Sequence, residues 1–358
     1  MLDRYDRQVR LPEIGKLGQD KLKNASILCV GAGGLGSPAL LYLAAAGVGR
    51  IGVIDFDRVD ASNLQRQVLF DTGSVGQPKA LQAALRLQAL NPTIDVQAYD
   101  EALNVESATR LFPQYDLILD GSDNFETKFL INDAAVKFGK PWIYGAIQGF
   151  DGQVSVFNYQ SGPCYRCLYP DKPKGRIMNC AEAGVIGAVA GMIGMTQALQ
   201  AIQVIVGHDS FEILSGQIWM IDMRSMQTRM LGLKKSHDCP VCSINPHDIK
   251  LTYQTSACAI IPEVEVIDLS LETHVLLFDV REAEEWDRGH IPQAKLWPLS
   301  KIMQGAVPDV PRDAPIILHC QKGVRSLQAG TLLQQAGFSN VRSLAGGYEA
   351  WAEKIARS

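Results

Sequence analysis

Short apolar runs alternate with segments of helical period along the first half of the chain, separated by glycine or polar turns. Ser26–Val30 is an apolar strand, 31–36 a glycine loop, 37–46 a helix and 51–55 the next strand. A helix opening on proline is predicted over 78–90, then a strand over 116–120, a helix over 124–138 and a strand over 141–145. This alternation predicts an α/β, Rossmann-like, doubly wound sheet. Beyond Gly152 the texture changes: 154–159 and 218–223 read as strands on either side of an uncharged stretch, 183–207. Its 25 residues are enough to span a membrane. Gln197, Gln200 and Gln203 interrupt it at helical spacing, and Gly184, Gly187, Gly191 and Gly194 suit close packing. A buried core helix is therefore expected, not a membrane span.

A polar, proline-containing stretch with little periodicity begins near Ser243 and runs to Ile261. A second, smaller α/β pattern follows: strands over 275–280, 315–319 and Val341–Leu344, and a helix over 326–336. The expected division is an N-terminal domain over 1–245, a linker over 246–261 and a C-terminal domain over 262–358.

Composition changes this picture little. A chain of 358 residues exceeds one typical core and suits two domains. It is 47% hydrophobic and 20% charged, with a net charge of -4 and no basic run, so nucleic acid is not the expected partner. The N-terminus alternates Asp3, Arg4, Asp6 and Arg7 and has no apolar core, so it does not read as a signal peptide. A reducing compartment, the cytoplasm, is expected.

The eight cysteines sort by spacing. Cys164 and Cys167 form one C-x-x-C pair, and Cys239 and Cys242 form another, with 71 residues between the pairs. In a reducing compartment such pairs favour metal or redox chemistry over disulfides. Two pairs match a four-thiolate zinc site that clips distant segments together. Four thiolates leave no open position for a substrate, so the expected role is structural. Cys180, in a loop just before the uncharged helix, is a candidate working thiol. Cys320 is a second: it follows an apolar strand and opens the loop Cys-Gln-Lys-Gly-Val-Arg, which runs into a helix. Successive backbone N–H groups, the helix N-terminus and Arg325 would stabilise a thiolate or persulfide anion there. Four residues separate Cys320 from Arg325, whereas phosphatase loops of this type have five; the smaller ring suits a single sulfur. Cys29 reads as strand core, and Cys258 carries no motif.

The glycine loop Gly31-Ala-Gly33-Gly34-Leu-Gly36 fits G-x-G-x-x-G between a strand and a helix, with Asp55 19 residues further on. Glycines admit a phosphate, the helix end favours its charge, and the acid receives ribose hydroxyls. Alone, this suits an NAD-dependent oxidoreductase equally well. The cations downstream, Arg66 and Lys79, argue for a triphosphate undergoing displacement, which needs positive charge in its transition state. Asp123, after a strand and before a helix, sits where a magnesium-binding carboxylate would lie at the sheet's carboxyl edge.

GAGGLGSP, DFDRVDASNLQRQ, VGQPK, LDGSDN, PCYRC, NCAEAGV and CPVC occur in the order found in ThiF/MoeB-type adenylyltransferases of the ubiquitin-activating enzyme superfamily. The chain resembles that family from about Arg4 to Cys242. The resemblance implies a MgATP site built from Gly31, Gly33, Gly34, Gly36, Asp55, Asp57, Asn63, Arg66, Lys79 and Asp123. It implies adenylation of the C-terminal glycine of a ubiquitin-like sulfur carrier of the MoaD/ThiS type. It also implies a homodimer in which Arg7 reaches the neighbouring subunit's site, and a covalent role at Cys180. From about Pro262 to Arg357 the chain resembles rhodanese domains, through Phe278-Asp-Val-Arg281-Glu282, Glu285-Trp286, Gly289-His-Ile-Pro292 and the Cys320 loop. Gln293 departs from the glycine common there. This second resemblance implies sulfur taken from an upstream donor, a cysteine desulfurase or thiosulfate, onto Cys320 as a persulfide. The expected product is a carrier thiocarboxylate for molybdopterin or thiamine synthesis or for tRNA thiolation.

Overall fold

The computed structural model describes residues 4–171, 184–252, 261–266 and 275–356. They form two compact units divided between Tyr253 and Gln254. Cys180 and Cys258 lie outside the described residues.

In the first unit the strands are β1 (Ser26–Val30), β2 (Arg50–Ile54), β3 (Asp95–Tyr99), β4 (Leu117–Asp120), β5 (Trp142–Gln148), β6 (Asp151–Phe157), β7 (Gln217–Asp222) and β8 (Gln227–Gly232). They form one sheet in the order β3-β2-β1-β4-β5-β6-β7-β8. The first five are parallel, and β6 to β8 add as antiparallel strands. The helices are α1 (Asp6–Val9), α2 (Gly15–Asn24), α3 (Gly36–Ala46), α4 (Lys79–Leu90), α5 (Val105–Leu111), α6 (Phe125–Lys137), α7 (Tyr165–Leu168) and α8 (Gly187–Val206).

Strand period 2 divides the core. Ile27 and Cys29 of β1 face a cluster with Leu40, Leu43 and Ile193, from α3 and α8. Leu28 and Val30 face the opposite cluster with Leu111, Phe129 and Ile131, from α5 and α6. Because both faces are covered, the inner parallel strands β1, β2 and β4 are continuous apolar runs and legible in sequence. β3 and β8 were not expected. Asp95 and Gln97 break the apolar run of β3, and every residue of β8 is exposed at the sheet edge.

The uncharged stretch forms α8, which is long and apolar enough to cross a membrane by length and composition. Here it packs on α3 and on strands β5 and β6. Its glutamines bond inward: Gln197 donates to the carbonyls of Asp120 (2.7 Å) and Ile143 (3.3 Å), and Gln200 accepts from the Leu214 N–H at 2.8 Å. A Cβ at Gly194 would meet the Leu35 carbonyl at the start of α3, and one at Gly187 the Gln65 carbonyl, whereas Gly184 and Gly191 have nothing close, so two of the four glycines serve close packing. After β8 the chain stays on this unit: Lys137 of α6 donates to the Ile249 carbonyl at 2.8 Å, and Ile249 is buried.

The second unit has strands β9 (Glu263–Val264), β10 (Leu276–Asp279), β11 (Lys295–Leu296), β12 (Ile316–His319) and β13 (Val341–Leu344). All are parallel, in the order β11-β10-β12-β13-β9. Its helices are α9 (Ala283–Asp287), α10 (Leu299–Met303), α11 (Val324–Gln335) and α12 (Gly347–Ala356). Phe278, Ile316 and Leu318 face α10 and α11, and Leu277 and Ile317 face Trp286, Tyr348 and Trp351 on α9 and α12.

Candidate functional sites

The glycine loop connects β1 to α3 in the middle of the first sheet. Strand order reverses here, since the chain passes from β1 outward to β2 and β3 before returning to β4 on the other side. A crevice for a nucleotide opens at such a switch point. Gly31 takes a positive φ of 91°. A Cβ at Gly36 would lie 2.0 Å from the Gly31 carbonyl oxygen, so no other residue allows this turn. The loop also rests on the segment after β4: a Cβ at Gly31 would be 3.0 Å from the Gly121 carbonyl. Asp55, just past β2, accepts from the N–H groups of Ala32 (2.8 Å) and Asp57 (2.9 Å). Burial raises its carboxyl above the usual range, with those N–H groups and Lys79 opposing.

Arg66 lies over the loop, its Cγ 3.6 Å from where a Gly34 Cβ would sit. It donates to the Ser62 carbonyl at 3.2 Å and forms no ion pair among the described residues. The Asn63 carbonyl accepts from the N–H groups of Arg66 and Gln67. Lys79 is buried and pairs with Asp57 at 2.9 Å. Asp123 is exposed beyond β4, and the cap of α6 is Asn124, which accepts from the Thr127 N–H at 2.8 Å. Arg7 is exposed on α1. Its neighbour Gln8 donates to the Ala46 carbonyl at 3.1 Å, at the opposite end of α3 from the glycine loop. Arg7 is therefore not brought to the site of its own chain.

Two groups here escaped the sequence reading. Lys128 is buried against Asp120 (2.6 Å) and also donates to the carbonyls of Ser122 (3.0 Å) and Gly145 (2.9 Å). Asp120 in turn accepts from the Ser122 N–H at 3.0 Å, so this pair shapes the turn that carries Asp123. Gln67 is 4% exposed, packs beside Gly33, and its Oε1 has no partner among the described residues. The only available signals were a lysine one helical turn beyond Asn124 and a glutamine next to Arg66.

The sulfurs of Cys164, Cys167, Cys239 and Cys242 lie within 4.8 Å of one another. Separations of 3.6 Å (Cys164–Cys239), 3.4 Å (Cys167–Cys242) and 4.0 Å (Cys164–Cys167) exclude disulfides. Thiolates placed about 2.3 Å from one tetrahedral ion would be about 3.8 Å apart, so the donor set fits a metal ion. Backbone N–H groups of Ser236 and Cys242 point at the sulfurs of Cys167 and Cys239, each at 3.4 Å. The first knuckle is tied to α6. The Tyr165 N–H donates to Asn132 at 2.7 Å, and Arg166 grips Asp133 through two nitrogens, at 3.0 and 2.6 Å. Cys29 serves as strand core, its thiol pushed up by burial and bonded to the Gly31 carbonyl at 3.3 Å.

Cys320 directly follows β12 and is 2% exposed. The Gly323 N–H points at its sulfur from 3.2 Å, and the Ser326 hydroxyl lies 3.8 Å away. The start of α12 holds the loop from behind: Tyr348 N–H donates to the Cys320 carbonyl (2.8 Å) and Glu349 N–H to that of Gln321 (3.1 Å). A Cβ at Gly347, where φ is 62°, would lie 2.4 Å from the Cys320 carbonyl oxygen. Arg281 is buried, bonded to both Asp279 oxygens and to the Gln321 side chain at 3.0 Å. A cavity of about 250 Å³ beside the loop is lined by Arg281, Glu285, Arg288, Gly289, Gln321 and Tyr348.

A glycine-loop sheet with cations gathered at its switch point, joined in one chain to a cysteine loop closed by backbone amides, defines a nucleotide-dependent enzyme with a sulfur-handling module. Residues 5–241 match the ThiF family and residues 264–354 the rhodanese-like domain. The chain is 42% identical over 369 residues to "Probable adenylyltransferase/sulfurtransferase MoeZ" of Mycobacterium tuberculosis, covering 98% of this chain and 93% of that one. It is 48% identical over 265 residues to the sulfur carrier protein adenylyltransferase of Thermus thermophilus, covering 72% and 97%. Among solved structures, E. coli MccB with ATP has the same fold over 68% of this chain and 75% of its own, with a TM-score of 0.60 and 23% identity. The chain belongs to the ThiF family, with a rhodanese-like domain at its C-terminal end. It is an adenylyltransferase and sulfurtransferase.

Proposed function

We propose that the first unit uses MgATP to adenylate the C-terminal glycine of a ubiquitin-like sulfur carrier, and that Cys320 delivers the sulfur. The carrier carboxylate is a poor electrophile because its leaving group would be oxide. Attack on the α-phosphorus expels pyrophosphate and leaves an acyl-adenylate, from which AMP departs readily. In this reading the glycine loop and the α3 N-terminus hold phosphates, Asp55 the ribose, and Asn63, Arg66 and Lys79 the departing pyrophosphate. Lys79 exchanges Asp57 for phosphate, and Asp123 holds magnesium. Arg7, remote from its own site, serves the partner in a homodimer. Zinc occupies the four-cysteine cluster as a structural clamp.

Cys320 takes sulfane sulfur from thiosulfate or a desulfurase as a persulfide. Its terminal sulfur attacks the acyl carbon and displaces AMP. A second thiol, for which Cys180 is the candidate, then cleaves the sulfur–sulfur bond. The thiocarboxylate leaves, and a cellular dithiol reductant returns the resulting Cys320–Cys180 disulfide to two thiols, itself becoming a disulfide. Carrying both steps in one chain raises the effective concentration of donor near acceptor.

The observation that carries this reading is the Cys320 loop, four residues short of Arg325, on the same chain as the cationic glycine-loop site. The test is thiosulfate-dependent thiocarboxylate formation on a carrier ending in Gly-Gly. Cys320→Ala should abolish product while ATP–pyrophosphate exchange persists. Undiminished product would refute the role of Cys320.

A further inference from the structure

Arg325 is the cation that the sequence aims at Cys320, yet its strongest partner is a carboxylate. Nη1 bonds Oε2 of Glu285 and Nη2 bonds Oε1, each at 2.6 Å. Glu285 is fixed from its own side, since Oε2 also accepts the Glu282 N–H at 3.2 Å in the capping box of α9. Arg325 lies in the first turn of α11, between Gly323 and Ser326, whose N–H and hydroxyl lie 3.2 and 3.8 Å from the Cys320 sulfur. Glu285 first, with Cys320 after it, raises Arg325 above its ordinary value. Arg325 holds the Glu285 carboxyl down to about 2.

The other charges around the loop are committed elsewhere or face solvent. Arg281 is held by Asp279, the Gly289 carbonyl and Gln321. His319 is buried 3.7 Å from Asp279, and the exposed Lys322 lies 3.9 Å from Glu349. Arg288 lines the neighbouring cavity, and His290 stacks on Trp286. Ser326 contributes only its hydroxyl.

We infer that Glu285 is a positioning residue for sulfur transfer: it clamps Arg325 at the mouth of the Cys320 loop and offsets part of its charge. This rests on the reading of Cys320 as the sulfur-carrying thiol. The physical reason is a compromise. A sulfur anion needs stabilisation to form, but its nucleophilicity falls as that stabilisation grows. A bare arginine would favour formation at the expense of transfer, and an arginine forked to a carboxylate moderates both.

The test uses the full-length protein and two readouts: Cys320 alkylation by iodoacetamide as a function of pH, followed by peptide mass spectrometry, and sulfur transfer from thiosulfate to cyanide. Glu285→Gln should move the alkylation profile to lower pH, raising the rate near pH 6 about three- to tenfold. At pH values where Cys320 is fully thiolate it should slow the thiosulfate half of the transfer, read as sulfite release, in which Cys320 attacks, but not the cyanide half, in which it leaves. Arg325→Gln should move the profile the other way. In the Arg325→Gln background, Glu285→Gln should change alkylation less than about twofold, because its effect acts through Arg325. A merely structural role would lower the melting temperature without this directional shift. An unchanged or upward-shifted profile in a folded Glu285→Gln protein, or an equal shift in both backgrounds, overturns the inference alone. Wild-type protein that forms no Cys320 persulfide from any sulfane donor overturns the parent reading instead.

Discussion

The glycine loop after β1 and the cysteine loop after β12 occupy equivalent places in two sheets. Each leaves the carboxyl end of a central parallel strand and feeds a helix N-terminus. Both sites suit anions for the same reason, an array of backbone N–H groups at a helix start. They differ in how their charges are assembled. Around the glycine loop, Asp55, Arg66, Lys79 and the turn before Asp123 come from separate segments that only the folded sheet brings together. Around Cys320, one short loop supplies the thiol, the Gly323 amide and the arginine, while Glu285, Arg281 and the start of α12 arrive from elsewhere. A triphosphate spreads its charge over many atoms and must part with some of them. A sulfur is a single atom, and a single loop can surround it.

The two sites should therefore fail independently. Arg66→Ala should lower ATP–pyrophosphate exchange about a hundredfold or more, with thiosulfate–cyanide sulfur transfer unchanged within about twofold. Loss of both together would break the comparison. The four-cysteine cluster belongs to the first site's unit alone. Stripping the ion with a chelator, or Cys239→Ser, should lower the melting temperature of that unit by an amount reflecting several kcal/mol, with one equivalent of zinc lost by elemental analysis. Sulfur transfer to cyanide should survive. The smallest effect expected is one of pH on the second unit. Burial, ahead of any other cause, lowers the His319 ring to about 4, against 6.5 when exposed. The stability this ring contributes is whole above pH 6.5 and is lost as pH falls toward 4. Calorimetry should show the second unit losing on the order of 2 kcal/mol over that window, and His319→Phe should flatten the dependence.

Elements buried on both faces were legible because their apolar runs are unbroken: β1, β2, β4 and the first part of β5. β3 and β8 were not, because a half-buried or exposed edge strand needs few apolar residues. The glutamines of α8 argued correctly for packing, but their partners, the carbonyls of Asp120 and Ile143, could not be read from spacing. In the sites, Cys320 and the paired cysteines were visible as local motifs. Lys128 and Gln67 were not, and Glu285 stood in a motif without a role: each acts through contacts distant in sequence or hidden by burial.

By itself, the sequence determined what is local: the glycine loop at a strand–helix junction, cysteines at ligand spacing, and the length of the Cys320 loop. Backbone geometry over a few residues dictates each of these. Tertiary structure alone decided which charge meets which. It set Lys79 on Asp57, Lys128 under the Asp123 turn and Glu285 on Arg325. Electrostatic partners are chosen by distance in space, and strand order brings together segments that the chain holds far apart.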